Sequence, residues 1–171
     1  MTQWQIVNAR IVQGHQVASG LNKAPRFPGD TLRMQSPHFL ARGLDLSIFH
    51  LGTVNVSIAP CRYRVAKACH TFRAVKWHPT EPAEDFSFFD FRLLRPEGQA
   101  IMGCIYYPHP ETKPEHFQPP DMLELLLPFV EGLSDGMELR LEIPTAQMVI
   151  ENPTAGPETK NFQNVACGKT T

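Results

Sequence analysis

The 171-residue chain is 42% hydrophobic and 19% charged, with a formal net charge of −1 at pH 7. This length suits one domain that buries its own core, and the composition is ordinary for a soluble protein. Near-neutrality argues against a broad cationic footprint for nucleic acid, and no run approaches the roughly 20 apolar residues of a membrane-spanning helix.

The start Met1-Thr2-Gln3-Trp4-Gln5 lacks the basic and apolar stretches of a secretory signal, so a cytoplasmic location is expected. With 16 prolines and 11 glycines spread along the chain, short runs rich in Val, Ile, Phe and Leu dominate, which predicts a mainly β fold. Residues 6–13 and 17–19 read as an opening strand or hairpin. Ser36-Pro37 offers an N-cap followed by proline at the first helical position, and Gly43 offers a stop, which predicts a helix of about two turns within residues 35–44. Strands are predicted at 54–58, 72–77, 85–94, 99–107 after the turn Pro96-Glu97-Gly98, and 138–143. Residues 121–127 fit either a helix capped by Asp121 and Glu124 or a buried strand ending at Pro128. From Glu151 onward Asn, Pro, Thr, Gly and Lys take over, so residues 1–150 are expected to form one domain and 151–171 a weakly ordered tail.

Two oxygen-bearing side chains mark the run His50-Leu51-Gly52-Thr53-Val54-Asn55-Val56-Ser57-Ile58. Side chains alternate along a strand, so Thr53 and Asn55 share one face while Val54, Val56 and Ile58 share the other, toward a core. A hydroxyl and an amide oxygen suit a hard cation such as Mg²⁺, which leaves its other positions to water and phosphates. The plainer alternative is that these residues open an ordinary strand.

Other patterns carry less. The cysteines Cys61, Cys69, Cys104 and Cys167 form no CxxC pair and read as buried or free thiols, with no zinc spacing around the adjacent Cys69-His70. The cations Arg62, Arg64, Lys67, Arg73 and Lys76 read as strand surface. Gly168-Lys169-Thr170 resembles the end of a phosphate-binding loop, but Gln163 stands where its first glycine belongs.

Four motifs follow in order: Gly14-His15-Gln16-Val17-Ala18-Ser19-Gly20-Leu21; Leu51-Gly52-Thr53-Val54-Asn55-Val56; Gly103-Cys104-Ile105-Tyr106-Tyr107-Pro108; and Leu123-Glu124-Leu125-Leu126 before Ser134-Asp135-Gly136. Their order and spacing across residues 11–143 resemble the archaeal CTP-dependent riboflavin kinase family. The resemblance implies a six-stranded closed cradle-loop barrel with one or two short helices. It implies transfer of the γ-phosphoryl group of CTP to the riboflavin 5′-hydroxyl, giving FMN and CDP. It assigns Mg²⁺ to Thr53 and Asn55, and the nucleotide to the turn containing Gly14, Ser19, Gly20 and Leu21. Glu124 is implied near the flavin ribityl hydroxyl as orienter or proton acceptor, and Thr112 as a flavin contact. Phe117, Met122, Tyr106 and Tyr107 suit the apolar slot that an isoalloxazine ring needs. Small-molecule substrates are thus the expected partners, with no nucleic acid and no membrane. The chain departs from the family after Leu21, where Asn22-Lys23-Ala24-Pro25-Arg26-Phe27-Pro28-Gly29 replaces glycines with prolines, and Lys23 and Arg26 become the candidate phosphate contacts. Two alternatives stay open on this sequence: a non-catalytic flavin- or nucleotide-binding module on the same barrel, and a related kinase with another nucleotide or acceptor.

Overall fold

The computed structural model describes residues 1–13, 31–114 and 118–153. Its elements are β1 (Trp4–Gln13), α1 (Thr31–Ala41), β2 (Val54–Ser57), β3 (Arg62–Val65), β4 (His70–Val75), β5 (Glu84–Leu94), β6 (Ala100–Pro108), β7 (Met122–Leu126), β8 (Glu138–Pro144) and β9 (Met148–Glu151). Six strands close an antiparallel barrel in the order β5-β6-β7-β2-β1-β8, with β8 returning to β5. Closure is possible because β5 is long. Its first half pairs with β4 outside the barrel, through His70↔Phe88 and Phe72↔Phe86, and its last residues pair with β8 through Arg92↔Glu142 and Leu94↔Arg140. β3 and β9 form a separate two-stranded ribbon.

The period-two pattern explains the two cores. Val54, Val56 and Ile58 point into the barrel with Phe89, Phe91, Leu93, Ile105, Leu123, Leu125, Leu141 and Ile143, all of them buried. The intervening residues Phe86, Phe88, Cys104, Tyr106 and Leu126 face outward and would be wet on a bare barrel. Helix α1 covers them. Leu32, Gln35 and Phe39 lie at helical spacing on one buried face, and Phe39 meets Phe86 and Phe88 edge to face at centroid distances of 5.1 and 5.0 Å.

The helix differs from its predicted start. Pro37 lies inside α1 rather than at its first position, so the carbonyl of Arg33 receives no N–H from residue 37. The apolar stripe Leu32–Phe39 straddles the proline, and its burial against the barrel outweighs the lost bond. Gly43, at φ +103°, terminates the segment as expected, in a conformation that favours glycine. Residues 121–127 resolve as a strand because β7 finds partners on both edges, β2 and β6. Glu151, where the tail was expected to begin, is the last residue of β9; residues 154–171 lie outside the described residues. Among the described residues no helix is long and apolar enough to cross a membrane, and Cys61, Cys69 and Cys104 are free thiols.

Candidate functional site

Strand registry gathers three of the motifs. Gln13, at the end of β1, is the cross-strand partner of Asn55 on β2; Asn55 is the partner of Glu124 on β7; Glu124 is the partner of Tyr106 on β6. A register shift between Ile11 and Gln13 brings Gln13 opposite Asn55, and Gly14 follows it directly in the chain. Directly opposed residues present their side chains on one face, so Asn55, Glu124 and Tyr106 stand side by side on the outer wall of the barrel. Their neighbours Val54, Leu125 and Ile105 point inward.

The geometry of the row is specific. Thr53 is fully buried, and its Oγ1 donates to Asn55 Oδ1 at 3.2 Å. Both are hard oxygen donors of the kind Mg²⁺ takes, and here they are hydrogen-bonded to each other, so the Thr53 hydroxyl would have to turn for both oxygens to face one ion. Glu124 is 5% exposed, a carboxylate held at the inner edge of the site. Burial first, and then the negative charge of Glu124, hold the Tyr106 phenol well above its ordinary pKa, while its hydrogen bond to Gln35 opposes the shift. Tyr106 is therefore a hydroxyl donor, and it donates to Gln35 Oε1 of α1 at 2.8 Å. Tyr63, on the β3 ribbon, is pushed up by burial and then by Tyr107, Glu124 and Asp121, and its ring meets Tyr107 edge to face at 6.3 Å.

No family model, curated protein or solved structure matches the chain. The site must be read from its own chemistry. Among the described residues no group of three or more His, Cys, Asp and Glu side chains is placed to hold a metal.

The remaining sequence candidates divide. Thr112 stands apart from the row, in the turn after β6: its hydroxyl accepts the Asp85 N–H at 2.9 Å and lies 3.2 Å from the His109 carbonyl. Gly14, Ser19, Gly20, Leu21, Lys23 and Arg26, together with Phe117, lie outside the described residues. Tyr107 points into the barrel mouth beside Phe89, Tyr63 and His109, whereas Tyr106 faces the helix. Sequence reasoning missed Tyr63 and Gln35. Gln35 left a signal, a polar residue on the Leu32–Phe39 stripe where an apolar one packs best. A groove of about 790 Å³ beside the β5–β6 turn, lined by Arg95, Glu97, Gln99, Glu138 and Arg140 among others, shares no residue with the row.

Next to Thr112 a polar chain runs from Thr71 Oγ1 to Ser87 Oγ at 2.8 Å and on to His109 Nε2 at 2.7 Å. Burial and then Arg73 lower the His109 pKa below the usual 6.5. A bond from the Ala74 N–H holds Asp85 below its usual range; burial opposes this, and Arg73 and then His109 add to the lowering. The sign follows from proton linkage. The unfolded chain takes up the His109 proton first, so the native state loses stability as pH falls below about 6.5 and again, through Asp85, below about 4. Urea midpoints between pH 8 and pH 3 should decline in those two windows, and His109→Gln should flatten the upper one; an unchanged upper slope would refute the assignment to His109.

Proposed function

We propose that the protein is a riboflavin kinase-like phosphotransferase that uses CTP and Mg²⁺ to make FMN. The supporting observation is convergence. Three of the motifs, distant in sequence, come together on the neighbouring strands β2, β7 and β6, with Glu124 between Asn55 and Tyr106. A resemblance that arose by chance from common dipeptides carries no such requirement.

Thr53 and Asn55 would hold Mg²⁺ by their side-chain oxygens. When bound, that ion neutralises charge on the phosphate oxygens. Glu124 would accept the proton of the riboflavin 5′-hydroxyl as its oxygen bonds to the γ-phosphorus and the bond to the CDP oxygen breaks. In-line placement supplies most of the acceleration in such reactions, so rigid strands suit the task better than loops.

The test is direct. Incubating the protein with riboflavin, Mg²⁺ and either CTP or ATP should yield FMN with CTP, and chelation of the metal should stop it. Asn55→Ala should lower the rate by about a hundredfold or more while the thermal midpoint stays within a few degrees of wild type. Flavin or nucleotide binding without turnover would favour a binding module on the same barrel, and no binding of any of them would overturn the reading.

A further inference from the structure

Thr71, Ser87 and His109 come from three segments and meet in one hydrogen-bonded chain: Thr71 lies on β4, Ser87 is its cross-strand partner on β5, and His109 follows the last residue of β6. Ser87 Oγ lies 2.7 Å from His109 Nε2 and 2.8 Å from Thr71 Oγ1. The direction of the protons follows from charge and valence. Glu111 Oε2 stands 3.9 Å from His109 Nδ1, and a carboxylate on that side favours the proton on Nδ1, which leaves Nε2 bare. Ser87 then gives its one proton to Nε2, so the bond between the two hydroxyls is donated by Thr71. Burial and Arg73 of β4 lower the His109 pKa against the pull of Glu111 in its own turn and of Asp85 on β5, which keeps the ring mainly neutral at pH 7. Exposure runs the opposite way along the chain. Ser87 is 3% exposed and the His109 side chain 15%, whereas Thr71 lies on the open side of β4, with Phe72 buried behind it. The end that solvent reaches is a hydroxyl, and the sheltered end is a base.

We propose that Thr71 is an acyl-acceptor site, a surface nucleophile that Ser87 and His109 activate as a proton relay, and that its donor is an activated ester or thioester. A hydroxyl is a weak nucleophile until a neighbouring base takes its proton, and here the base acts through one intervening hydroxyl. As the Thr71 oxygen bonds to the acyl carbon, the bond from that carbon to the leaving oxygen or sulfur breaks, and the leaving group keeps the electron pair. The Thr71 proton passes to Ser87 as the Ser87 proton passes to Nε2, so the negative charge on the leaving group is balanced by the imidazolium. No residue of this relay belongs to the row of Asn55, Glu124 and Tyr106, and the inference does not depend on the kinase reading.

Treating the full chain with p-nitrophenyl acetate tests this, with mass spectrometry of its peptides locating the acetyl group. Thr71 should be acetylated at least about tenfold faster than the exposed hydroxyls of Ser47 and Ser134, which have no such relay. Thr71→Ser should keep the label and Thr71→Val should lose it. Ser87→Ala cuts the relay while leaving both ends in place, and His109→Gln keeps a polar side chain without a usable base; each should slow the labelling of Thr71 about tenfold or more. The wild-type rate should rise with pH through the His109 titration, below about 6.5, and then level off, a profile that His109→Gln should abolish and that a purely structural histidine would not produce. Thr71 is exposed, so its two variants stay readable even if a substitution at Ser87 unfolds the chain. No acetyl group on Thr71, a rate like that of Ser47 and Ser134, or labelling that Ser87→Ala and His109→Gln leave unchanged would overturn the proposal.

Discussion

Gly103→Ala should destabilise the protein by about 3 kcal/mol or more, a large share of the stability of an ordinary domain, and lower its thermal midpoint by roughly 10 °C. A Cβ at this position would sit 2.4 Å from Cε1 and Cζ of Phe91 and 2.7 Å from the backbone oxygen of Leu126. Neither neighbour has room to retreat. Phe91 is the cross-strand partner of Gly103, fully buried among Ile105, Leu93 and Leu141, and the Leu126 carbonyl belongs to β7. Relief would require moving a ring through a close-packed core or spreading β6 from β7, which carries Glu124. Urea denaturation measures the effect, and a loss under about 1 kcal/mol would show that the wall yields more easily than its packing implies. This motif glycine is thus explained by packing, with no ligand needed.

Glu124→Gln should separate activity from stability. The variant keeps size but exchanges an acceptor oxygen for an N–H₂ donor and removes the basicity that a proton acceptor needs, so FMN formation should fall by about 10² to 10⁴. Stability should hold or rise. A carboxylate only 5% exposed carries a desolvation cost, and a neutral isostere avoids it. Turnover assays and a thermal melt on the same preparation check both halves. Full activity would remove Glu124 from the chemistry, and a parallel loss of activity and fold would recast it as a structural group.

Much of the fold was legible because alternation is a local property. Val54, Val56 and Ile58 turn inward as their spacing predicts, and the aromatic run Phe86 to Leu94 alternates between the two cores. The helix boundary was not legible. Ser36-Pro37 carries a strong start signal, yet α1 is placed by what Leu32 and Phe39 bury, a tertiary demand invisible in the local sequence. Arg62 and Arg64 read as strand surface, but the pairing of β3 with β9 was not legible for a similar reason: Arg62-Tyr63-Arg64-Val65 is mostly exposed, and a cross-strand contact such as Arg64 with Glu151 at 3.2 Å brings together residues far apart in the chain. For the site, Thr53, Asn55 and Glu124 were nameable from residue type and resemblance. Their adjacency was not, because which strand lies beside which depends on the whole topology. Gln35 matters only through its contact with Tyr106, and no motif contains it.

The row from Gln13 through Asn55 and Glu124 to Tyr106 also acts as a ruler. Three strand-to-strand steps give it a length of about 14 Å, set by backbone hydrogen bonds and indifferent to the side chains it carries. Substitution along it can exchange the side chain at one station without altering the distance to the next. Such a wall is well suited to diversification, since new ligands of similar length can be tried one residue at a time on a scaffold that keeps its gauge.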